Sequence, residues 1–307
     1  MRSKNDIMLK LQTPVADEAC KVGISYDDKI MMLGSCFTDN IGGQLENYGF
    51  DVCINPFGTL YNPVSILSSI ERLVSGEPFQ EEDCVQIGAG DERWCSFCHH
   101  TSFAAATKEE FLSKANIALE AAREHFLASD KVIITLGTSW CFRHIEKDFI
   151  VSNCLKHNAS EFVRERLSPA EVTASLSRII ELCSTTEGCN GKQFIFTVSP
   201  IRHFKDGAHG NQISKSTLLL GIENLLMSLP VDLSMDPRYT ADYFPAYEIV
   251  MDELRDYRFY AEDMGHPSAQ TVGYIRDRFL DWALPSEEKP LLQEKIREFK
   301  RSSHIRK

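Results

Sequence analysis

One stretch limits what this chain can fold into more than any other: Ile30-Met31-Met32-Leu33-Gly34-Ser35-Cys36-Phe37. Four apolar residues in succession read as the end of a buried strand. Gly34 then permits a sharp turn, because it has no Cβ to clash. Beyond it, Thr38-Asp39-Asn40-Ile41 opens an amphipathic pattern that runs to Tyr48, with Ile41, Leu45 and Tyr48 on one face at helical spacing. Strand, turn and helix together put Ser35 at the carboxyl edge of a sheet and beside a helix N-terminus. Ligands bind at that edge in open α/β sheets. The unpaired N–H groups of a helix start suit a developing negative charge. The same residues, without more, also describe a turn with a capping serine.

A serine hydroxyl is a weak nucleophile until a base stands within hydrogen-bond reach. Asp263-Met264-Gly265-His266, followed by Pro267, offers one. An acid three residues ahead of a histidine can orient the ring and stabilise the imidazolium from one short loop. Pro267 suits the first position of a following helix. An early serine on a strand–turn–helix and a late Asp-x-x-His form the pattern of the SGNH (GDSL-like) hydrolases.

A narrower resemblance joins several blocks in order. Gly34-Ser35-Cys36-Phe37-Thr38 is similar to the Gly-Ser-Cys-Phe-Ala block that names the GSCFA family, with Thr38 departing at the last letter. Further blocks are Asn55-Pro56-Phe57-Gly58-Thr59-Leu60-Tyr61-Asn62-Pro63, Thr135-Leu136-Gly137-Thr138 and Ser199-Pro200-Ile201-Arg202-His203. Asn211-Gln212-Ile213-Ser214-Lys215, Tyr243-Phe244-Pro245-Ala246-Tyr247-Glu248 and the Asp263 to His266 loop complete the set, which spans Leu11 to Trp282. The resemblance implies an α/β fold: a three-layer α/β/α sandwich with a mainly parallel sheet, flavodoxin-like as in SGNH hydrolases, with insertions. It also implies a Ser35–His266–Asp263 triad. The oxyanion would be taken by the N–H groups of Ser35 and Gly58. The asparagine that completes the hole in SGNH hydrolases is replaced by Ser139, and Gly34 stands where an Asp is expected. Thr138, Ser139 or the backbone could substitute, and Asn153 is another amide in reach by sequence. No substrate comes firmly with the family. Related hydrolases remove acetyl groups from sugars, so an O-acyl carbohydrate or cell-wall ester is the expected substrate, and a small-molecule or glycan ester the expected partner.

The rest of the chain reads as alternating elements. Asp51 to Ile54 is a short strand and Pro63 to Val74 a helix. Thr107 to Leu127 repeats Phe111, Ala115, Ala118, Ala122 and Phe126 at helical spacing. Lys131 to Leu136 is the clearest buried strand, and Gln193 to Val198 the next. Ser168-Pro169 starts a helix, a capping serine with proline at the first helical position. Cys141 to Ser152 is expected to be a hairpin, Lys205 to Gly210 a lid-like loop, Asn211 to Leu229 a helix, and Asp242 to Asp256 to contain another helix. Ile7 to Leu11 and Gly23 to Tyr26 read as edge elements. From Ser286 the chain is charged and reads as a solvated helix with a basic tail at Lys300, Arg301, Arg306 and Lys307. No repeat or low-complexity linker divides residues 1–307, so one domain is expected.

Other polar residues are candidates for substrate binding: His100, Thr138, Arg202, His203 and Lys215. Arg202 could grip a carboxylate or phosphate with two N–H groups, or form a surface ion pair. His203 is a rival base, with Asp206 as the nearest acid in sequence. Cys36 is a rival nucleophile, because a thiolate at a helix N-terminus is stabilised. A scaffold that binds a glycan or partner without turnover is the rival outside enzymology. Cys95-x-x-Cys98-His99 matches the string of c-type haem attachment, but haem attachment belongs to exported proteins. A zinc site lacks a second ligand pair. No cofactor and no metal are therefore expected. Ten cysteines without a regular framework, and no apolar leader at the N-terminus, point to reduced thiols in a cytoplasm. The formal charge of -11 argues against nucleic acid or an anionic membrane as a partner.

Overall fold

The computed structural model describes residues 12–16, 19–189, 191–229 and 240–305. Ile7 to Leu11, Arg306 and Lys307 lie outside them. In chain order the elements begin with strand β1 (Lys29–Gly34), helix α1 (Cys36–Asn47), β2 (Asp51–Ile54) and α2 (Pro63–Ser75). A small hairpin, β3 (Val85–Gln86) with β4 (Trp94–Cys95), precedes α3 (Lys108–Ala128) and β5 (Lys131–Leu136). Next come β6 (Trp140–His144), β7 (Phe149–Val151), β8 (Phe162–Arg166), α4 (Pro169–Thr185) and β9 (Gln193–Val198). The chain continues through α5 (Gly207–Ser228), β10 (Ala241–Phe244), the short α6 (Ala246–Glu248), α7 (Ala269–Ala283) and α8 (Lys289–Ile305).

Five strands build the central sheet in the order β10-β9-β5-β1-β2, every pair parallel. Their sequences explain why they are central. β1, β5 and β9 are buried along nearly their whole length, as a strand covered on both faces must be. Alternation then sorts the side chains. Met31, Leu33, Val132, Ile134, Phe194 and Phe196 face a layer built by α2, α3, α4 and α5. Ile30, Met32, Ile133 and Ile195 face the other layer, where α1 and α7 pack. The result is an α/β protein with helices on both faces of a parallel sheet. Numbered among themselves, the sheet strands run 2-1-3-4-5, the flavodoxin-like order. The order reverses between β1 and β5, and that crevice is where the Gly34-Ser35-Cys36 turn emerges.

Insertions decorate this frame. β6 pairs with β7 and with β8, all antiparallel, in a separate three-stranded sheet. The hairpin expected over Cys141 to Ser152 is therefore two strands of three. The helix expected within Asp242 to Asp256 is present, as α6 running into a π-helical turn, Ile249–Leu254, and edge strand β10 precedes it. Three other expectations change. The lid-like segment at Lys205 to Gly210 is a tight turn at Phe204–Asp206 and the start of α5. Gly23 to Tyr26 forms no strand; Ile24 donates its N–H to Ala283 O instead (2.9 Å). Finally, α8 is not merely solvated. Leu292 is 7% exposed, and Ile296 and Phe299 pack beside it against the α1 side of the core. Phe299 meets the Tyr48 ring edge-on at 6.1 Å.

Candidate active site

Ser35 and Cys36 are neighbours with opposite orientations. Ser35 is the N-cap of α1, with extended backbone (φ -69°, ψ 174°), and its Oγ accepts from Phe37 N. That is what a capping serine does: the side chain folds back over the open helix end. It is 1% exposed. Cys36, the first helical residue, projects differently, and its Sγ lies 3.7 Å from His266 Nε2. No hydrogen bond joins Ser35 to His266 among the described residues.

The Asp263 loop forms the second side of the site. His266 Nδ1 is 2.6 Å from Asp263 Oδ2, while Asp263 Oδ1 accepts the N–H groups of Gly265 and His266, each at 2.9 Å. Those two N–H bonds, then the ring, hold the Asp263 carboxyl down at about 2. An ionised Asp263 fixes the ring with Nδ1 protonated, which leaves Nε2 free to accept a proton. Arg202 braces this loop. Its N–H donates to Gly265 O (2.9 Å) and its guanidinium to Met264 O (3.1 Å), while Phe204 lies under the guanidinium at 4.8 Å. Arg202 therefore supports the loop from beneath.

The thiol's surroundings pull in both directions. Burial pushes the Cys36 thiol up, and the Asp39 carboxylate adds to that. The N–H groups of Cys36 and Phe37, and the Lys215 ammonium, pull it back. Asp39, one turn along α1, is itself pushed up by burial; its bond from Asn55 and the nearby His100 act against this. Asn55 stands at φ 42°, a left-handed conformation that asparagine tolerates. It ties two loops together, accepting Gly34 N at 2.8 Å and donating to Asp39 Oδ1 at 2.6 Å.

Lys215 enters from α5. It is 1% exposed, and Nζ donates to Gly137 O (2.6 Å) and Ser199 O (2.7 Å), clamping the carboxyl ends of β5 and β9. Burial pulls the ammonium down to about 7, against the attraction of Cys36 and Asp206. His203 is pushed down to about 4, first by burial and then by Lys215. Its Nε2 is buried with no hydrogen-bond partner among the described residues.

The expected oxyanion donors are already in use. Ser35 N–H donates to Thr135 O (3.3 Å) and Gly58 N–H to Asn55 O (2.7 Å). Gly58 is needed for another reason: it sits at φ 89°, and a Cβ there would collide with the His100 side chain. Ser139 is fully buried, and both its N–H and its Oγ donate to Ser214 Oγ, at 2.8 and 3.1 Å. Thr138 gives its N–H to Tyr61 O (2.9 Å), and its Oγ1 pairs with Ser214 (2.9 Å). Asn153 turns its Oδ1 onto Leu155 N (2.8 Å) in the loop after β7. His100 caps a local turn, with Nδ1 3.1 Å from Ser102 Oγ. The Cys95–His99 string does not converge. His99 is wholly buried among Phe57, Phe79, Phe103 and Phe111, bonded to Ser96 Oγ (2.7 Å), and burial pushes it down to about 3. Among the described residues, no three His, Cys, Asp or Glu side chains are grouped to hold a metal ion.

Asp39, Asn55 and Tyr61 are the site residues that sequence reasoning missed as such. Asp39 had a signal, an acid one turn after Cys36 on the same helix. Asn55 and Tyr61 sat in a block legible only as a turn.

Fold and site together define a doubly wound α/β protein with a thiol–imidazole–carboxylate line at the switch point of its sheet. The chain belongs to the GSCFA family, whose family model matches residues 29–279. No curated protein and no solved structure matches it.

Proposed function

We propose that this protein is a cysteine-dependent acyl hydrolase or acyltransferase, with Cys36 as nucleophile, His266 as base and Asp263 as the group that orients the base. One observation carries the reading: His266 joins Cys36 Sγ (3.7 Å) to Asp263 (2.6 Å), while Ser35 is turned into the helix end. The resting sulfur is the thiol, since burial and Asp39 both hold its proton on. His266 Nε2 takes that proton as Sγ bonds to the acyl carbon and the carbonyl electron pair moves to oxygen. Collapse expels the alkoxide, which recovers the proton from His266 and leaves S-acyl Cys36. Water or an acceptor hydroxyl, deprotonated by His266, then attacks the thioester, and the thiol leaves with a proton.

The acyl donor in this reading is an ester, with an O-acyl carbohydrate carried over from the wider SGNH likeness. A reducing, cytoplasmic setting fits it, because all ten cysteines are free thiols. Among the described residues, no helix is long and apolar enough to cross a membrane. The test is p-nitrophenyl acetate with rapid acid quench, and mass spectrometry to find the acylated residue. An acetyl group on Cys36, absent in Cys36→Ala and slowed in His266→Ala, is the expected result. An adduct on Ser35 would restore the serine esterase reading, and no adduct on either residue would leave a binding scaffold.

A further inference from the structure

An acyl-transfer site needs donors aimed at the oxygen that gains charge. Four expected donors in this site, the N–H groups of Ser35, Gly58, Thr138 and Ser139, are spent on internal bonds. The Cys36 N–H is not. It occupies the first position of α1, faces the sulfur, and donates to no oxygen among the described residues. One N–H makes a weak hole, so a second donor must come from the walls.

Tyr61 is placed to be that donor. Its carbonyl accepts the N–H groups of Gly137 and Thr138, each at 2.9 Å, so the residue is locked to the end of β5. The preceding Leu60 N–H donates to Gly34 O (2.8 Å), which locks the same loop to the nucleophile's turn. Gly137 is the spacer between the two: a Cβ built there would stand 3.4 Å from both the Tyr61 ring and the Ser35 Cβ. The Tyr61 hydroxyl accepts from Thr59 Oγ1 (3.4 Å), which leaves its own proton free to point elsewhere. Burial keeps that proton on the phenol, and the hydroxyl lies within electrostatic reach of Cys36.

We propose that the Tyr61 hydroxyl and the Cys36 N–H together form the oxyanion hole, with Tyr61 replacing the amide that SGNH hydrolases use. The inference rests on the thiol reading of Cys36. No proton is transferred from Tyr61; the phenol donates a hydrogen bond while negative charge sits on the former carbonyl oxygen, and is released on collapse. Tyr61→Phe keeps the ring that packs on Gly137 and removes only the donor.

The experiment compares parent, Tyr61→Phe and Thr59→Val for three rates: acetylation of Cys36 by p-nitrophenyl acetate, alkylation of Cys36 by iodoacetamide, and protection from iodoacetamide by butyraldehyde. Acetylation and thiohemiacetal formation create an oxyanion, whereas alkylation does not. The expected result for Tyr61→Phe is acetylation slowed about a hundredfold, weaker protection by the aldehyde, and unchanged alkylation. Thr59→Val should show the same pattern more mildly, because it frees the hydroxyl to turn. Acetylation of Tyr61→Phe at the parent's rate would overturn the hole and leave the thiol reading standing. A parent that takes no acetyl group on Cys36 would overturn the thiol reading, and the hole with it.

Discussion

The sheet has a buried lysine at each edge, and the two are opposites in function despite similar chemistry. Lys192, just before β9 at the amino edge, donates Nζ to Phe126 O (2.5 Å), Leu127 O (3.2 Å) and Ser129 O (2.6 Å), the last carbonyls of α3 and its cap. Lys215, at the carboxyl edge, bridges Gly137 O and Ser199 O. Burial pulls both ammonium groups down. The first satisfies orphan carbonyls at a helix end, within electrostatic reach of the buried Cys183 and Cys189. The second does comparable work on two strand ends, and its charge also falls on the Cys36 sulfur of the candidate site. A buried charge is expensive wherever it lies, so its neighbours decide whether it also serves a site.

Substitutions can break this contrast. The largest effect belongs to the carboxyl edge: Cys36→Ala should lower acyl turnover by roughly a thousandfold or more. Ser35→Ala should cost about 1 kcal/mol of stability, the loss of an N-cap, and keep most turnover per folded molecule. Equal losses in the two variants would put the serine back in the mechanism. At the amino edge, Lys192→Met leaves three carbonyls without their donor and should cost about 2 kcal/mol in denaturant unfolding. Its Cys36 alkylation rate should match the parent's; a slower rate would mean that the edges are coupled.

Lys215→Met should do the reverse, slowing alkylation of Cys36 about twofold at neutral pH, because its ammonium acts on the thiol less than Asp39 does. A linked stability effect follows. The Lys215 ammonium is pulled from its ordinary 10.5 to about 7 in the fold, so between those values the unfolded chain holds more protons than the native one. Native stability relative to Lys215→Met should therefore rise with pH across that window, by at most about 1.4 kcal/mol per pH unit. A flat difference would show that the ammonium keeps its proton. Asp39→Asn acts on the sulfur in the opposite direction and more strongly. Removing a charge that holds the thiol up should speed neutral-pH alkylation by about threefold, since a surface-facing charge a few ångströms away is worth about 1 kcal/mol or less; a slower rate would mean that Asp39 serves the reaction.

Much of the frame was legible because it is local. β1, β5 and β9 are apolar runs of strand length, and α3 and α4 carry their caps in sequence. The Asp263–His266 pair is legible for the same reason, as three residues of separation suffice. Orientation was not legible. Ser35 and Cys36 differ by one position, and only the N-cap geometry decides which side chain faces the loop 230 positions on. The use of the expected oxyanion donors was hidden for a related cause: a glycine or serine can occupy an expected block while its N–H is consumed by Asn55 O or Ser214 Oγ. β10 was hidden because an edge strand is short and half polar. Lys215 was only a residue that could reach the site, because its burial depends on α5 lying across two strand ends.

The docking of α8 has a consequence for how far the packed core extends. The family match stops at residue 279, yet the folded unit does not. Tyr26 takes a bond from its N–H to Glu288 (2.8 Å) and stacks on Phe50 at 4.2 Å, and Leu284 and Leu292 are buried on the same face. A chain cut to the shared family segment would strip this flank and present Leu45, Tyr48 and Phe50 to water. The family segment and the packed core are different stretches here, and the core reaches further at both ends.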